Sequence, residues 1–146
     1  MTKGFRPPAV PLVTVDPHFS IWSTADRLHE DSTRHWTLVP HGLVGLIRID
    51  GRVFRFMGST ADGPSWLNMR QPSGMRQVDL DVRPTQTCYR FEDAGIALDV
   101  RFLTPLLPDD LDLLSRPLTY VHFSVVSLDG EAHQCEVYLE AAAAIA

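Results

Sequence analysis

The apolar residues of this chain fall in short runs of about five to eight residues, whereas an amphipathic helix would need about ten or more. Several of these runs flank glycine-containing turn signals, at Asp50-Gly51, Asp93-Ala94-Gly95 and Leu128-Asp129-Gly130. Short apolar runs on either side of such signals are typical of β-hairpins. Eleven prolines add to the preference for strands and loops. The pattern predicts an all-β protein.

The first hairpin is predicted between Leu43 and Met57, and its register depends on the loop length. A two-residue loop would place the apolar Leu46 opposite the charged Arg55. A three-residue loop over residues 49–51 places Leu46 opposite Phe54 instead. We therefore predict the three-residue loop, because it pairs apolar side chains across the two strands.

Two more hairpins are predicted further along the chain. Residues 87–91 are expected to pair with residues 96–102, after an alternating strand at residues 78–82. Residues 118–127 are expected to pair with residues 131–139, with Phe123 opposite Cys135. Residues 10–15, which lie between prolines, suit an edge strand or extended arm, and residues 19–23 form another short run.

These strands predict one domain over residues 1–146, an antiparallel β-sandwich, with barrel closure as the alternative. A single open sheet would leave one face of each apolar strand in water. The last strand runs into alanines without a predicted partner. We therefore expect the chain to be the N-terminal part of a sandwich or larger supersandwich, truncated at its C-terminal end and exposing an apolar edge.

Charge and composition exclude several classes of partner. The net charge is -5 with no local Lys/Arg cluster, which argues against nucleic acid. No apolar stretch approaches the roughly 18 residues of a membrane span, and no hydrophobic signal follows Met1, so we expect no membrane partner while the compartment stays open. Cys88 and Cys135 are too few for a disulfide framework, and free thiols are favoured over a pair.

Motifs for catalysis or cofactor binding are absent from the sequence. The six histidines form neither HxH nor HExxH, and the spacing of His29, His35 and His41 turns their side chains apart, so no metal is predicted. No phosphate-binding glycine loop, GxSxG or SxxK occurs, and we expect no cofactor. Asp109 or Asp110 suits the N-cap of a short helical turn whose leucines dock on the sheet. A stand-alone hydrolase with paired carboxylates is the weakest hypothesis.

One polar segment mixes aromatic, acidic and basic side chains and is the candidate site. Its residues are Trp22, Asp26, Asp31, Arg34, His35 and Trp36, in a long loop with room for one helical turn at residues 25–28. Such a mixture suits a small polar ligand held by stacking and hydrogen bonds, or contact with another domain. The alternative is that the tryptophans cap the end of the sandwich while the charges are solvated.

Four segments carry a resemblance to a known family: residues 6–22 (RPPAVPLVTVDPHFSIW), 31–36 (DSTRHW), 45–58 (GLIRIDGRVFRFMG) and 104–125 (TPLLPDDLDLLSRPLTYVHFSV). Together they resemble the N-terminal region of the glutaminase A family of fungi and bacteria, described as hydrolysing glutamine to glutamate and ammonia. The chain departs from the family pattern at His18 and at Leu38-Val39, which affects only local loop shape.

The resemblance implies a β-sandwich region followed, in longer relatives, by a large helical domain that carries most catalytic residues. It maps no catalytic residue onto this chain. We predict an N-terminal segment that is inactive alone and shapes the active-site rim of a C-terminal helical domain, with residues 22–36 as the contact surface. The rival hypothesis is a non-catalytic carbohydrate-binding or interdomain module, with Trp22, Trp36 or Trp66 as a stacking platform.

Overall fold

A computed structural model of the chain describes residues 6–59 and 71–142. These residues form mostly β-structure, as the sequence predicts. The elements are β1 (Val10–Thr14), β2 (Ser20–Ser23), β3 (Leu43–Ile49), β4 (Arg52–Met57), β5 (Ser73–Gly74), β6 (Arg76–Arg83), β7 (Gln86–Asp93), β8 (Ile96–Leu103), α1 (Leu111–Leu114), β9 (Tyr120–Ser127) and β10 (Cys135–Ala141). No helix in the described ranges is long and apolar enough to cross a membrane.

Two four-stranded sheets, ordered β10-β3-β4-β5 and β6-β7-β8-β9, form the layers of the fold. Their facing sides share one core. In it, the ring centroid of Phe56 lies 5.9 Å from the ring centroids of both Phe91 and Phe123. Among the strands described, none is hydrogen-bonded to both sheets. The predicted antiparallel β-sandwich is therefore confirmed, although the short β5 pairs with β4 in parallel.

The N-terminal strands β1 and β2 form a separate ribbon at one end of the sandwich. Pro11 is tolerated in β1 because an edge position does not require its missing N–H. Its carbonyl accepts a hydrogen bond of 2.7 Å from the hydroxyl of Thr87 on β7. Val10 and Leu12 are buried in the common core, so the ribbon covers the end of the sandwich.

The first hairpin forms as predicted, but the predicted three-residue loop is wrong. The structure places Leu46 opposite Arg55, with the two-residue loop Asp50-Gly51 between the strands. Both loop residues have positive φ, 48° and 83°, which is the geometry of the tight turn that best fits strand twist. The pairing of Leu46 with a charge is tolerated because the Arg55 guanidinium donates to the carbonyls of His29 (2.8 Å) and Gly58 (2.6 Å).

The hairpin predicted between residues 118–127 and 131–139 does not form. Strand β9 pairs with β8, where Phe123 lies opposite Val100, and β10 pairs with β3, where Cys135 lies opposite Ile49. Residues 128–134 carry the chain from one sheet to the other. The alternation of apolar side chains marked both strands correctly, but it did not distinguish a hairpin partner from the free edge of either sheet.

The helical turn forms with Asp110 as its N-cap, since the carboxylate accepts from the Leu113 N–H at 2.9 Å. The predicted docking of its leucines is wrong. Leu111 is 72% exposed, and no residue of α1 is buried. The reason is topological: α1 connects two adjacent antiparallel strands, β8 and β9, so it lies at the end of the sheet and does not cross its face.

The crossover between the sheets is fixed by an imidazole between two carboxylates. His133, whose side chain is 12% exposed, donates from Nδ1 to Asp50 Oδ2 (2.6 Å) and from Nε2 to Asp129 Oδ1 (3.0 Å) when protonated. These bonds raise the pKa of His133, and the bond from His133 is the main reason that the pKa of Asp129 falls to about 2. The crossover is thereby tied to the β3–β4 turn.

This arrangement predicts a pH-dependent contribution to stability. Because the pKa of His133 is higher in the folded state than its unfolded value of 6.5, protonated His133 stabilises the fold. This contribution is complete below pH 6.5 and is lost as the pH rises through the folded pKa. The carboxylate contribution of Asp129 is present above 3.8 and is lost as pH falls toward about 2. We expect His133→Asn to lower the thermal unfolding midpoint most between pH 3.8 and 6.5, where both contributions are complete, and less at alkaline pH.

Circular dichroism melts of the two proteins across that pH range measure the difference. His122→Asn is the matched control, because His122 lies exposed on the outer side of β9, with no bonding partner in the described parts of the chain. Parallel pH profiles for wild type and His133→Asn would contradict a stabilising role for the crossover histidine.

Candidate functional site

The loop that follows β2 contains bends and a turn, and the helical turn predicted at residues 25–28 is not formed. A turn closes instead between Arg27 and Glu30, through a hydrogen bond of 3.0 Å from the Glu30 N–H to the Arg27 carbonyl. Leu28 explains the difference. Its side chain is 1% exposed and its N–H donates to the side chain of Gln77 at 2.9 Å, so the backbone is drawn onto the core and onto β6.

Trp22 and Arg34 are joined through their backbones. The Trp22 N–H donates to the Arg34 carbonyl at 2.7 Å, and the Arg34 N–H donates back at 2.9 Å, which continues the β1–β2 ribbon by one bridge. The guanidinium of Arg34 donates to both oxygens of Asp31 at 3.2 Å. Arg34 therefore has a structural partner already and fixes the position of the loop.

His35 and Trp36 are both held by one carbonyl group. The Pro17 carbonyl accepts from Trp36 Nε1 at 2.7 Å and contacts His35 Nε2 at 2.9 Å. The other ring nitrogen of His35, Nδ1, lies 2.8 Å from the hydroxyl of Thr37. The bond from Nε1 orients the indole of Trp36, which remains 60% exposed, and the bond from His35 holds the neighbouring imidazole.

The two tryptophans line the same groove, which has a volume of about 330 Å³. Its other walls come from the end of β1, the turn that follows it and the start of β2: Thr14, Asp16, Pro17 and Ser20. Asp16 Oδ1 accepts from the N–H groups of His18 (2.7 Å) and Phe19 (2.9 Å). The bonds from Phe19 and His18 lower the pKa of Asp16, so this wall of the groove carries a carboxylate at neutral pH.

The remaining candidate residues do not join this groove. Asp26 makes an ion pair of 3.2 Å with Arg6, and its side chain is 88% exposed. Trp66 lies outside the described residues. The prediction that His35 and His41 point apart is wrong, because the loop brings their ring centroids to 5.2 Å. Across residues 6–59 and 71–142, no three histidine, cysteine or acidic side chains come together as metal ligands.

Sequence reasoning missed four residues that line the groove: Thr14, Asp16, Pro17 and Ser20. The Asp16-Pro17 pair marks the end of the first strand, and the Asp16 carboxylate closes the turn that follows. No local sequence signal marks these residues as part of a site. Their place beside Trp36 follows from a contact between the Pro17 carbonyl and a residue 19 positions later in the chain.

A larger concave surface of about 390 Å³ lies on the outer side of sheet β6-β7-β8-β9. Its charges are mainly paired: Arg90 contacts Asp99 at 3.0 Å and Glu92 at 3.3 Å, and Arg83 contacts Asp81 at 2.5 Å. Cys88 lines it as a free thiol, and Cys135 is free as well. Paired charges of both signs are ordinary for a solvated sheet face.

The fold and the groove define an all-β sandwich protein with an aromatic surface site. The chain is 28% identical to Glutaminase A of Aspergillus oryzae over 146 residues, which confirms the resemblance to the glutaminase A family. The match covers 94% of this chain and 20% of the relative, so the chain spans about a fifth of that protein's length.

Two family models match the chain as well, and both are described as domains of unknown function. The model named DUF4964 matches residues 1–63, and the model named DUF5127 matches residues 85–146. These matches are consistent with an N-terminal region of the glutaminase A family. No solved structure matches the chain at a significant level.

Proposed function

We propose that this chain is the N-terminal β-sandwich part of a glutaminase-like hydrolase, in which it supports a C-terminal helical domain that carries the catalytic residues. The similarity to Glutaminase A covers 94% of the chain but a fifth of the relative, which leaves most of such a protein to other domains. Among the described residues that line the groove, Asp16 is the one acid, and no histidine or second carboxylate lies beside it to act as a general base. A supporting role fits these observations better than a catalytic one.

One side of the sandwich carries this proposal. Strands β9 and β10 form the facing edges of the two sheets, and side chains on their inner faces are exposed: Val125 (38%), Val137 (38%) and Leu139 (42%). We call these three residues the open side. Val125 lies opposite Leu98 and Val137 lies opposite Ile47, two fully buried core residues, so the open side continues the core.

An uncovered continuation of a core is a typical contact surface for another domain. The open side would be covered, in the intact protein, by strands or helices of the neighbouring domain. The loop at residues 22–36 is a second candidate contact, since Trp36 is 60% exposed and Leu38, two residues further along the chain, is 64% exposed. We expect the longer protein to bury the open side.

The proposal predicts that the 146-residue chain releases no ammonia from glutamine, whereas the longer protein that carries it does. A coupled glutamate dehydrogenase assay on both proteins measures this release. Activity of the isolated chain would contradict the supporting role. Absence of ammonia release by the folded longer protein, across a range of glutamine concentrations, would contradict the glutaminase-like assignment.

The contact at the open side has its own variant. In the longer protein, Leu139→Asp should lower both the thermal midpoint and ammonia release, because it places a charge in a buried contact. Val53→Asp is the control, since Val53 is 44% exposed and lies in the same sheet, opposite Arg48 on its outer face. Equal behaviour of the two variants would argue against packing at the open side.

A second candidate function is a carbohydrate-binding or interdomain module. One observation favours it: the indole of Trp36 is exposed beside Trp22 and is held in place by a hydrogen bond to the Pro17 carbonyl. A domain contact at the open side leaves the groove free, because the two surfaces belong to different strands, whereas a domain contact at Trp36 would cover the groove.

A further inference from the structure

We propose that the groove between Trp22 and Trp36 binds one pyranose ring of a carbohydrate, which stacks on indole and donates a hydroxyl hydrogen bond to Asp16. This inference names the ligand of the binding-module candidate and does not depend on the hydrolase assignment. It rests on the fixed orientation of Trp36, on the unused hydrogen-bonding capacity of Asp16 and on the size of the groove.

The indole of Trp36 is a preorganised apolar surface. Its N–H, the only polar group of the side chain, is used internally by the bond of 2.7 Å to the Pro17 carbonyl. The neighbouring imidazole of His35, whose ring centroid lies 5.4 Å away, restricts the indole further. A ligand can therefore contact Trp36 mainly through the ring, and binding loses little side-chain entropy because the ring is already held.

Asp16 supplies the polar half of the recognition. The backbone N–H groups of His18 and Phe19 both donate to Oδ1 of Asp16. Its other oxygen, Oδ2, has no hydrogen-bond partner in the described ranges. An ionised carboxylate only accepts, so the ligand must donate. Ser20, which is 4% exposed, adds a buried hydroxyl in the groove wall that also lacks a partner among the described residues.

A ligand with an apolar face and hydrogen-bond donors along its edge satisfies both halves of the site. The C–H face of a pyranose ring can lie on an indole while its hydroxyl groups reach the carboxylate. The groove volume of about 330 Å³ is at the small end of ligand sites, which suits one ring of a longer chain. A small organic cation would also suit an aromatic ring beside a carboxylate, and it is the competing ligand that the experiment must separate.

Isothermal titration calorimetry on the 146-residue chain tests the proposal with three neutral probes, cellotetraose, xylotetraose and maltotetraose, and with tetramethylammonium. We expect at least one of the sugars to bind with a Kd of about 1 mM or below, as a single exposed site allows. Trp36→Ala should weaken that binding at least about tenfold and Asp16→Asn about threefold or more, because each removes one half of the recognition. Tyr120→Ala, at an aromatic residue that is 55% exposed on β9, should leave it unchanged.

Trp36→Phe keeps an aromatic ring and should retain more affinity than Trp36→Ala. Circular dichroism of each variant confirms that the fold is intact before titration. The proposal is overturned if none of the three sugars binds at millimolar concentrations, if the affinity survives Trp36→Ala, or if tetramethylammonium alone binds. Ammonia release is a separate measurement, so failure here leaves the glutaminase-like assignment unaffected.

Discussion

Replacing Phe56 with alanine is expected to lower the free energy of unfolding by about 3–5 kcal/mol. Phe56 is fully buried, and its ring packs between the two sheets, with its centroid 5.9 Å from the ring centroids of Phe91 and Phe123. The space for this ring exists because residue 45 is glycine, where a Cβ would overlap the ring. Truncation would therefore leave a cavity in the centre of the sandwich that its neighbours can fill only in part.

Equilibrium urea denaturation measures this loss as a change in the midpoint at constant slope. Val53→Ala is the control on the same strand, because Val53 is 44% exposed and should cost less than about 1 kcal/mol. If the two variants lost similar stability, Phe56 would not be a central contact between the sheets.

The sequence predicts where the strands lie better than it predicts their partners. The residues of β9 alternate between the two faces, which identifies the strand wherever it pairs. Whether β9 pairs with β10 or with β8 depends on which strand has a free edge in the folded sheet. A strand's own residues do not contain this information. The same holds for the first hairpin, where the register follows from the positive φ of Asp50 and from the bulge beside Gly45.

The candidate site was predicted in part for a related reason. Trp22 and Trp36 stand out by residue type, and the structure brings them to one groove. Asp26 stood out equally, yet it pairs with Arg6 away from the groove. Asp16 was missed, because its position beside the tryptophans depends on the bonds from His35 and Trp36 to the Pro17 carbonyl. Contacts of this range follow from the fold of the loop and not from its composition.

Gly58→Ala is expected to lower the free energy of unfolding by at least about 3 kcal/mol. Two causes add. The φ angle of Gly58 is +72°, which costs a residue with a Cβ about 1–2 kcal/mol. In addition, the new Cβ would overlap the backbone carbonyl of Leu43, which cannot move aside as a flexible side chain would. Chemical denaturation of the variant measures the sum of the two effects.

Gly130→Ala separates the causes, since Gly130 has a similar φ of +84° but open space around the position of a Cβ. It should cost only about 1–2 kcal/mol, and an equal loss in both variants would contradict the steric part of the argument. Gly58 also ties the site loop to the sandwich, because its N–H donates to the Leu28 carbonyl at 2.9 Å and its carbonyl accepts from Arg55 at 2.6 Å. Amide hydrogen exchange in Gly58→Ala should therefore rise first around Leu28, and at Trp36 only if the loop moves as one unit.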